Sequence, residues 1–443
     1  MAHTFGDWPT GVVSVESKDD VRGSRFIMAM KRSFLQLIAL LLGAISLVNC
    51  SNAPSCVRVG AAIPVQAFSR TPDATSANGC PVGSGGGGGG NGGCSNTLTP
   101  TEVLFSQEST GAIQTLAINT PVGSSLSLMC TTATAGLGQI AVANVSGTTN
   151  FLYALKTVAG TATINGFSIG HAAPVTLTPL ATFTITGSNI FTGFSALQVD
   201  PAGRFLTVTD TAASAVHLLL IDASLGTLTE AAGSPFTVAN ALFTAVGSAV
   251  DVLYVTDNVD GKILIFSINL SASPVLTQII NSPFFEPTHI AANSPIFMQV
   301  SFAGTFLYTG NTSSISFYSI NSDGSLSPVA AGSPVTLTPA FDPQQLTMDV
   351  TGSFLYVRGS GTEGVLGFTM DTGTGNLMII PGSAFASGSS VSDMLVNPLG
   401  GQMYLLIGST IDVFTIDPTS GALTAVTSTT HFTSSSNLAA AGV

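Results

Sequence analysis

The sequence predicts an all-β chain: a seven-bladed β-propeller of four-stranded blades, preceded by a signal peptide and a disordered linker rich in Gly and Ser. Three observations carry that expectation. A phrase recurs six times between residues 149 and 410, short apolar strands alternate with turns after Pro100, and the flanks of the repeat region complement each other. A period near 50 residues means stacked or radial units, none of which can bury its apolar faces alone.

In chain order, residues 1–50 read as an over-extended start followed by a lipoprotein-type signal peptide. Lys31 and Arg32 precede an uncharged stretch from Ser33 to Asn49, the form of a secretion signal. Its strongly apolar part, Phe34 to Val48, is 15 residues long, short of the about 20 that a permanent span needs. The segment Leu47-Val48-Asn49-Cys50 resembles the bacterial lipobox, which implies cleavage before Cys50 and lipid attachment to it; Asn49 stands where that motif has a small residue.

Residues 51–100 are rich in Ser, Asn, Pro and Gly and culminate in GSGGGGGGNGG at 83–93. Such a segment cannot offset its ordering entropy by burial and acts as a tether, with a reach of roughly 35–45 Å. A phosphate-binding loop would need a strand before it, a helix after it and a Lys followed by Ser or Thr, none of which is present. Cys56, Cys80, Cys94 and Cys130 remain if Cys50 is acylated; they allow three disulfide pairings, and export places them in an oxidising compartment. Cys80 and Cys94 flank the glycine run and could close it into a loop.

From residue 101 to 443 the repeat takes over. Its hydrophobic triplet begins at Phe151, Phe205, Val252, Phe306, Phe354 and Gln402. A second apolar strand follows each triplet and in most repeats runs into a turn with Asp, Gly and Leu, as in FTIDPTSGALT at 414–424. An edge strand and a Gly-Ser-Pro or Ser-Pro-Phe trailer complete most units. Gly and Asp supply positive φ and local hydrogen bonds in the hairpins, and prolines on an edge end a sheet without wasting a ladder donor. Segment 101–128 supplies three outer strands of a further blade and SNLAAAGV at 436–443 its innermost strand, so pairing of the two ends closes the ring.

Charged residues are only 8% of the chain, and the net charge is −12. After residue 100 the fixed cations are Lys156, Lys262, Arg204 and Arg358, too few to hold a phosphate backbone, which excludes nucleic acid. The cysteines lack CxxC spacing and a nearby His, and DNVDG at 257–261 is only a fragment of a calcium loop, so neither metal nor cofactor is expected.

DPAGRFLTV, LYVTDN, FTIDPTSGALT and the Gly-Ser-Pro-Phe trailer, at this period, resemble the lactonase-type seven-bladed β-propellers, which include bacterial 6-phosphogluconolactonase and the YVTN-repeat proteins. The resemblance covers roughly residues 100–443. It implies the fold, and for ring-opening members His and Arg near the start of innermost strands. Counted from Gly203 and Gly304, those positions fall here on Gly193, Ser195, Pro295, Ile296, Phe297 and Ser301.

Lactone hydrolysis needs a base of near-neutral pKa and a donor or cation for the oxyanion. After residue 100 the imidazoles are His171, His217, His289 and His431. His217 reads as a packed residue of an apolar strand, His171 and His431 as solvated, and Arg358 as a surface cation. Glu286 and His289, within EPTHIAAN, are the only catalytic candidates retained. The expected function is therefore an exported, lipid-anchored, non-catalytic binding scaffold at the bacterial cell envelope, or secreted. It is expected to be a monomer that meets the membrane only through its lipid and binds a protein, glycan or envelope polymer. The alternative is a lactone hydrolase with a diverged site.

Overall fold

The computed structural model describes residues 100–443 apart from 109–110, 119–125, 133–137, 147–148, 159–160, 187–196, 258, 286–296, 330–331, 338–340, 431–434 and 443, and the backbone of two paired strands ahead of them. The chain falls into two units, Met1–Ser76 and Ala77–Val443. In the first, Ile45–Asn49 pairs antiparallel with Val57–Ala61. The second is a ring of seven antiparallel blades. Among the described residues no helix is long and apolar enough to cross a membrane.

From the axis outwards, blade 1 is Ile140–Ser146, Thr149–Val158, Thr161–Ile169 and Phe183–Thr186. Blade 2 is Leu197–Val199, Phe205–Asp210, Ala215–Ile221 and Leu228–Glu230. Blade 3 is Ala241–Val246, Val252–Asp257, Lys262–Ile268 and Leu276–Gln278. Blade 4 is Phe297–Val300, Phe306–Asn311, Ser314–Ile320 and Leu326–Pro328. Blade 5 is Pro343–Met348, Phe354–Gly359, Val365–Met370 and Leu377–Ile379, and blade 6 is Val391–Val396, Gln402–Ile407, Thr410–Ile416 and Leu423–Thr430. Blade 7 takes Glu102–Glu108, Ile113–Ala117 and Ser127–Thr132 from one end of the domain and its innermost strand, Ser435–Gly442, from the other.

Alternation of side chains sends half of each strand to either neighbouring blade. Seven apolar clusters result, each shared by consecutive blades. One joins Phe105 and Met129 of blade 7 to Leu152 and Phe167 of blade 1. Another joins Tyr404 and Leu406 of blade 6 to Leu104 and Leu116 of blade 7. The ring has no uncovered end face, and each fully buried Leu or Phe adds about 1.5–3 kcal/mol.

The two recurrent sequence features meet across blade boundaries. The tyrosine ending a triplet donates its hydroxyl to the carbonyl of the glycine in the next blade's outer hairpin. Tyr153 reaches Gly226 at 2.9 Å, Tyr254 Gly324 at 2.9 Å, Tyr308 Gly375 at 2.8 Å and Tyr356 Gly421 at 2.8 Å. Those glycines have φ between +66° and +83°. A Cβ there would lie 2.4 Å from Phe151, 2.3 Å from Val252, 2.8 Å from Phe306 and 2.4 Å from Phe354, respectively, so the first triplet residue fills the space the glycine leaves. Burial raises the pKa of all four phenols, which stay protonated donors.

The Gly-Ser-Pro trailer differs from its sequence reading: it interrupts the outer edge rather than ending it. In blade 2 the third strand pairs with Leu228–Glu230 at one end and Phe236–Thr237 at the other, and Ser234 sits in the break. Its hydroxyl accepts the third-strand N–H of Leu218 at 3.0 Å, which the broken edge would leave unpaired. Ser282, Ser333 and Ser383 do the same for Ile265, Phe317 and Gly367.

Candidate functional site

A cavity of about 650 Å³ lies on the axis, lined by the innermost strands of blades 2 to 6. Pairing registers dictate its composition. The innermost residue opposite the third triplet position is Ala141 in blade 1, Gln198 in blade 2, Ala245 in blade 3, Gln299 in blade 4, Thr347 in blade 5 and Leu395 in blade 6. The last five line the cavity. At one end its rim is formed by Pro201, Ser248, Ser301 and Phe302, in the turns leaving the innermost strands. Phe302 is 69% exposed there.

The lining carries amides and hydroxyls but no ionised side chain among the described residues. Gln345 is fully engaged. Its Nε2 donates to Asp393 Oδ1 at 2.8 Å and to the Met394 carbonyl at 3.0 Å, and its Oε1 accepts from Met394 N at 3.1 Å and Arg358 Nε at 3.3 Å. Gln299 uses one donor, on the Val300 carbonyl at 3.1 Å. Thr244 shares a 2.7 Å hydrogen bond with Thr207.

Behind that wall lie two ionisable groups, Arg358 and Asp393, both bonded to Gln345. Arg358, read from sequence as a surface cation, is 4% exposed, because its strand is second from the axis and its side chain turns under blade 6 to the Val391 carbonyl at 3.0 Å. Burial lowers its pKa, partly opposed by Asp393. The Asp393 carboxyl is pushed up to about 6 by burial, against hydrogen bonds from Leu438 N at 2.7 Å, Gln345 and Met394 N at 2.8 Å. These groups bind blades 5 and 6 to the closing strand, and both oxygens of Asp393 accept hydrogen bonds.

Of the residues singled out in the sequence, Glu286, His289, Cys50 and His431 lie outside the described residues, as do Gly193, Ser195, Pro295 and Ile296. Phe297 and Ser301 line the cavity. The Ser301 hydroxyl accepts from Thr305 N and Phe306 N, both at 3.0 Å, and so shapes its turn. His217 is buried with Nδ1 2.8 Å from Glu230, whereas His171 is exposed. Asp222, Asp371 and Asp417 cap hairpin N–H groups, which holds their carboxyls below the usual range. Among the described residues no three His, Cys, Asp or Glu side chains form a metal site. Cys130 is disulfide-bonded, its partner lying outside the described residues.

Sequence reasoning missed Gln198, Gln299 and Thr347. A usable signal existed. Each stands nine positions before the third triplet residue, Thr207, Tyr308 or Tyr356.

No curated protein matches the chain. Among solved structures it is similar to a candidate 6-phosphogluconolactonase of Bacteroides fragilis, at 17% identity and a TM-score of 0.63 over 78% of this chain and 100% of that one. It is also similar to a periplasmic gluconolactonase of Pseudomonas aeruginosa, at 16% identity and a TM-score of 0.62 over 77% of this chain and 99% of that one. At such identities the likeness is one of fold. The model of the lactonase family of seven-bladed β-propellers matches residues 208–441, more than half of the chain. With repeats, ring and family model in agreement, the chain belongs to the lactonase, seven-bladed β-propeller family.

Proposed function

We infer that this protein is a non-catalytic binding propeller, exported to the cell envelope, anchored by lipid on Cys50 and engaging its ligand through the axial cavity. One observation carries the reading: the described lining offers amides, hydroxyls and apolar surface but no base, acid or free cation. Opening a lactone requires a group that takes a proton from water and another that holds the oxyanion. Arg358 and Asp393 stand behind the lining with their hydrogen-bonding capacity directed at Gln345, Val391, Met394 and Leu438. Export is supported by the disulfide at Cys130, a bond that persists in oxidising compartments.

Family membership favours a second reading, a lactone hydrolase, for which the sequence offers Glu286 and His289 as catalytic candidates. A panel of sugar lactones offered to the purified protein separates the two. The expected result is hydrolysis at the buffer rate. Turnover well above that rate, removed by His289→Ala, overturns the binding reading. Anchoring is checked by labelled fatty acid: incorporation into the native chain and none into Cys50→Ala is expected, and no label in the native chain refutes it.

A further inference from the structure

We propose that the axial cavity takes a neutral, polyhydroxylated ligand, a sugar ring or the end of a polysaccharide chain, entering past Phe302. The proposal rests on the binding reading above and names its ligand class. Charge is the first argument. An anionic ligand would leave water for a lining without a free cation, inside a chain of net charge −12. A cationic ligand would meet no unengaged carboxylate among the described lining residues.

Hydrogen-bonding capacity is the second. The Gln198 amide and the Thr347 hydroxyl make no side-chain hydrogen bond with the described residues, and Gln299 engages only the Val300 carbonyl. Amides and hydroxyls both donate and accept, the pattern that sugar hydroxyls complement. A purely apolar ligand would leave these groups desolvated and unpaired. Gln345, held on both its oxygen and its nitrogen, is a fixed wall beside them.

Apolar surface is the third. Phe302 presents its ring at the rim, and Phe243 and Phe297 pack edge-to-face at 5.8 Å deeper in the cavity, beside Met298 and Val246. A pyranose carries C–H faces that lie on such surfaces while its equatorial hydroxyls reach sideways to the amides. A volume of about 650 Å³ falls within the span of small-molecule sites, about 300–1,000 Å³, and suits a short saccharide.

The test is calorimetric titration of the full-length protein with malto-, cello-, xylo- and chito-oligosaccharides, alongside oligogalacturonate and 6-phosphogluconate as anionic probes and an uncharged Gly-Ser peptide. Binding of at least one neutral saccharide series is expected. Gln299→Ala and Phe302→Ala should each weaken it by about tenfold or more. Phe302 is exposed, so its variant should unfold at the native temperature and report on binding alone. Absence of binding by every neutral series, preference for either anionic probe, or binding of the peptide instead overturns the sugar assignment while leaving a non-catalytic propeller standing. Lactone turnover in the separate panel removes the reading beneath it.

Discussion

The junction between blades 4 and 5 and that between blades 2 and 3 solve one packing problem differently. At the first, Tyr308 donates to Gly375 and Phe306 fills the space above that glycine. At the second, the triplet ends in Thr207, and the facing hairpin, NLSASPV at 269–275, contains neither Asp nor Gly. Tyrosine and glycine are lost together. Thr207 bonds Thr244 at 2.7 Å instead, and Arg204 spans the rim from Asp200 to Asp251, 2.8 Å from each. At this junction the tyrosine and the glycine that would form the clasp are absent together, and a threonine pair and an ion pair stand in their place.

Substituting a clasp glycine should have the largest effect. Gly421→Ala puts a methyl 2.4 Å from Phe354 at φ +71°, so left-handed strain and overpacking should together cost about 3 kcal/mol, read as a lower urea midpoint. Ser271→Ala, in the hairpin of blade 3, should stay within about 0.5 kcal/mol. Equal losses would erase the distinction between the junctions.

Next in size is a pH effect at the closing strand. The Asp393 carboxyl titrates near 6 when folded and near 3.9 when unfolded, so the folded state holds the proton more tightly. Its contribution is fully present below about pH 4 and is lost as pH rises through about 6, by roughly 2–3 kcal/mol. Asp393→Asn should flatten that part of the stability profile between pH 4 and 7. A slope unchanged in the variant would place the titration elsewhere.

Tyr308→Phe should cost about 1 kcal/mol, because the Gly375 carbonyl loses a buried donor while ring packing persists. Introducing the phenol at the other junction, as Thr207→Tyr, should give no gain there, since no glycine carbonyl waits for it. Asp251→Asn should have the smallest effect, below about 1 kcal/mol and shrinking with added salt, because Asp251 is exposed and Arg204 keeps its bonds to Asp200.

The fold was legible because the repeat period, the turn residues and the apolar triplets all point the same way. The clasps were half legible: the tyrosine and the glycine each recur visibly, but they lie 65 to 73 residues apart and belong to different repeats, so only the ring shows that they touch. The cavity lining was obscure for a different reason. Gln198 is one polar residue in a three-residue strand, Leu197–Val199, too short to display alternation, and its place on the axis follows from register against Thr207. Arg358 was misplaced because a cation after GSFLYV resembles a strand end facing water, whereas the strand continues to Gly359 and the side chain turns inward.

The strand Ser435–Gly442 pairs with Glu102–Glu108 across nearly the whole propeller sequence. As the chain folds, six blades can stack while the seventh still lacks its inner member. Until residues 435–442 dock, Glu102–Glu108 presents an open hydrogen-bonding edge, the surface that most readily recruits a foreign strand. The folding chain therefore stays vulnerable to misassociation until this strand docks, and partners that shield that edge would act on this one strand.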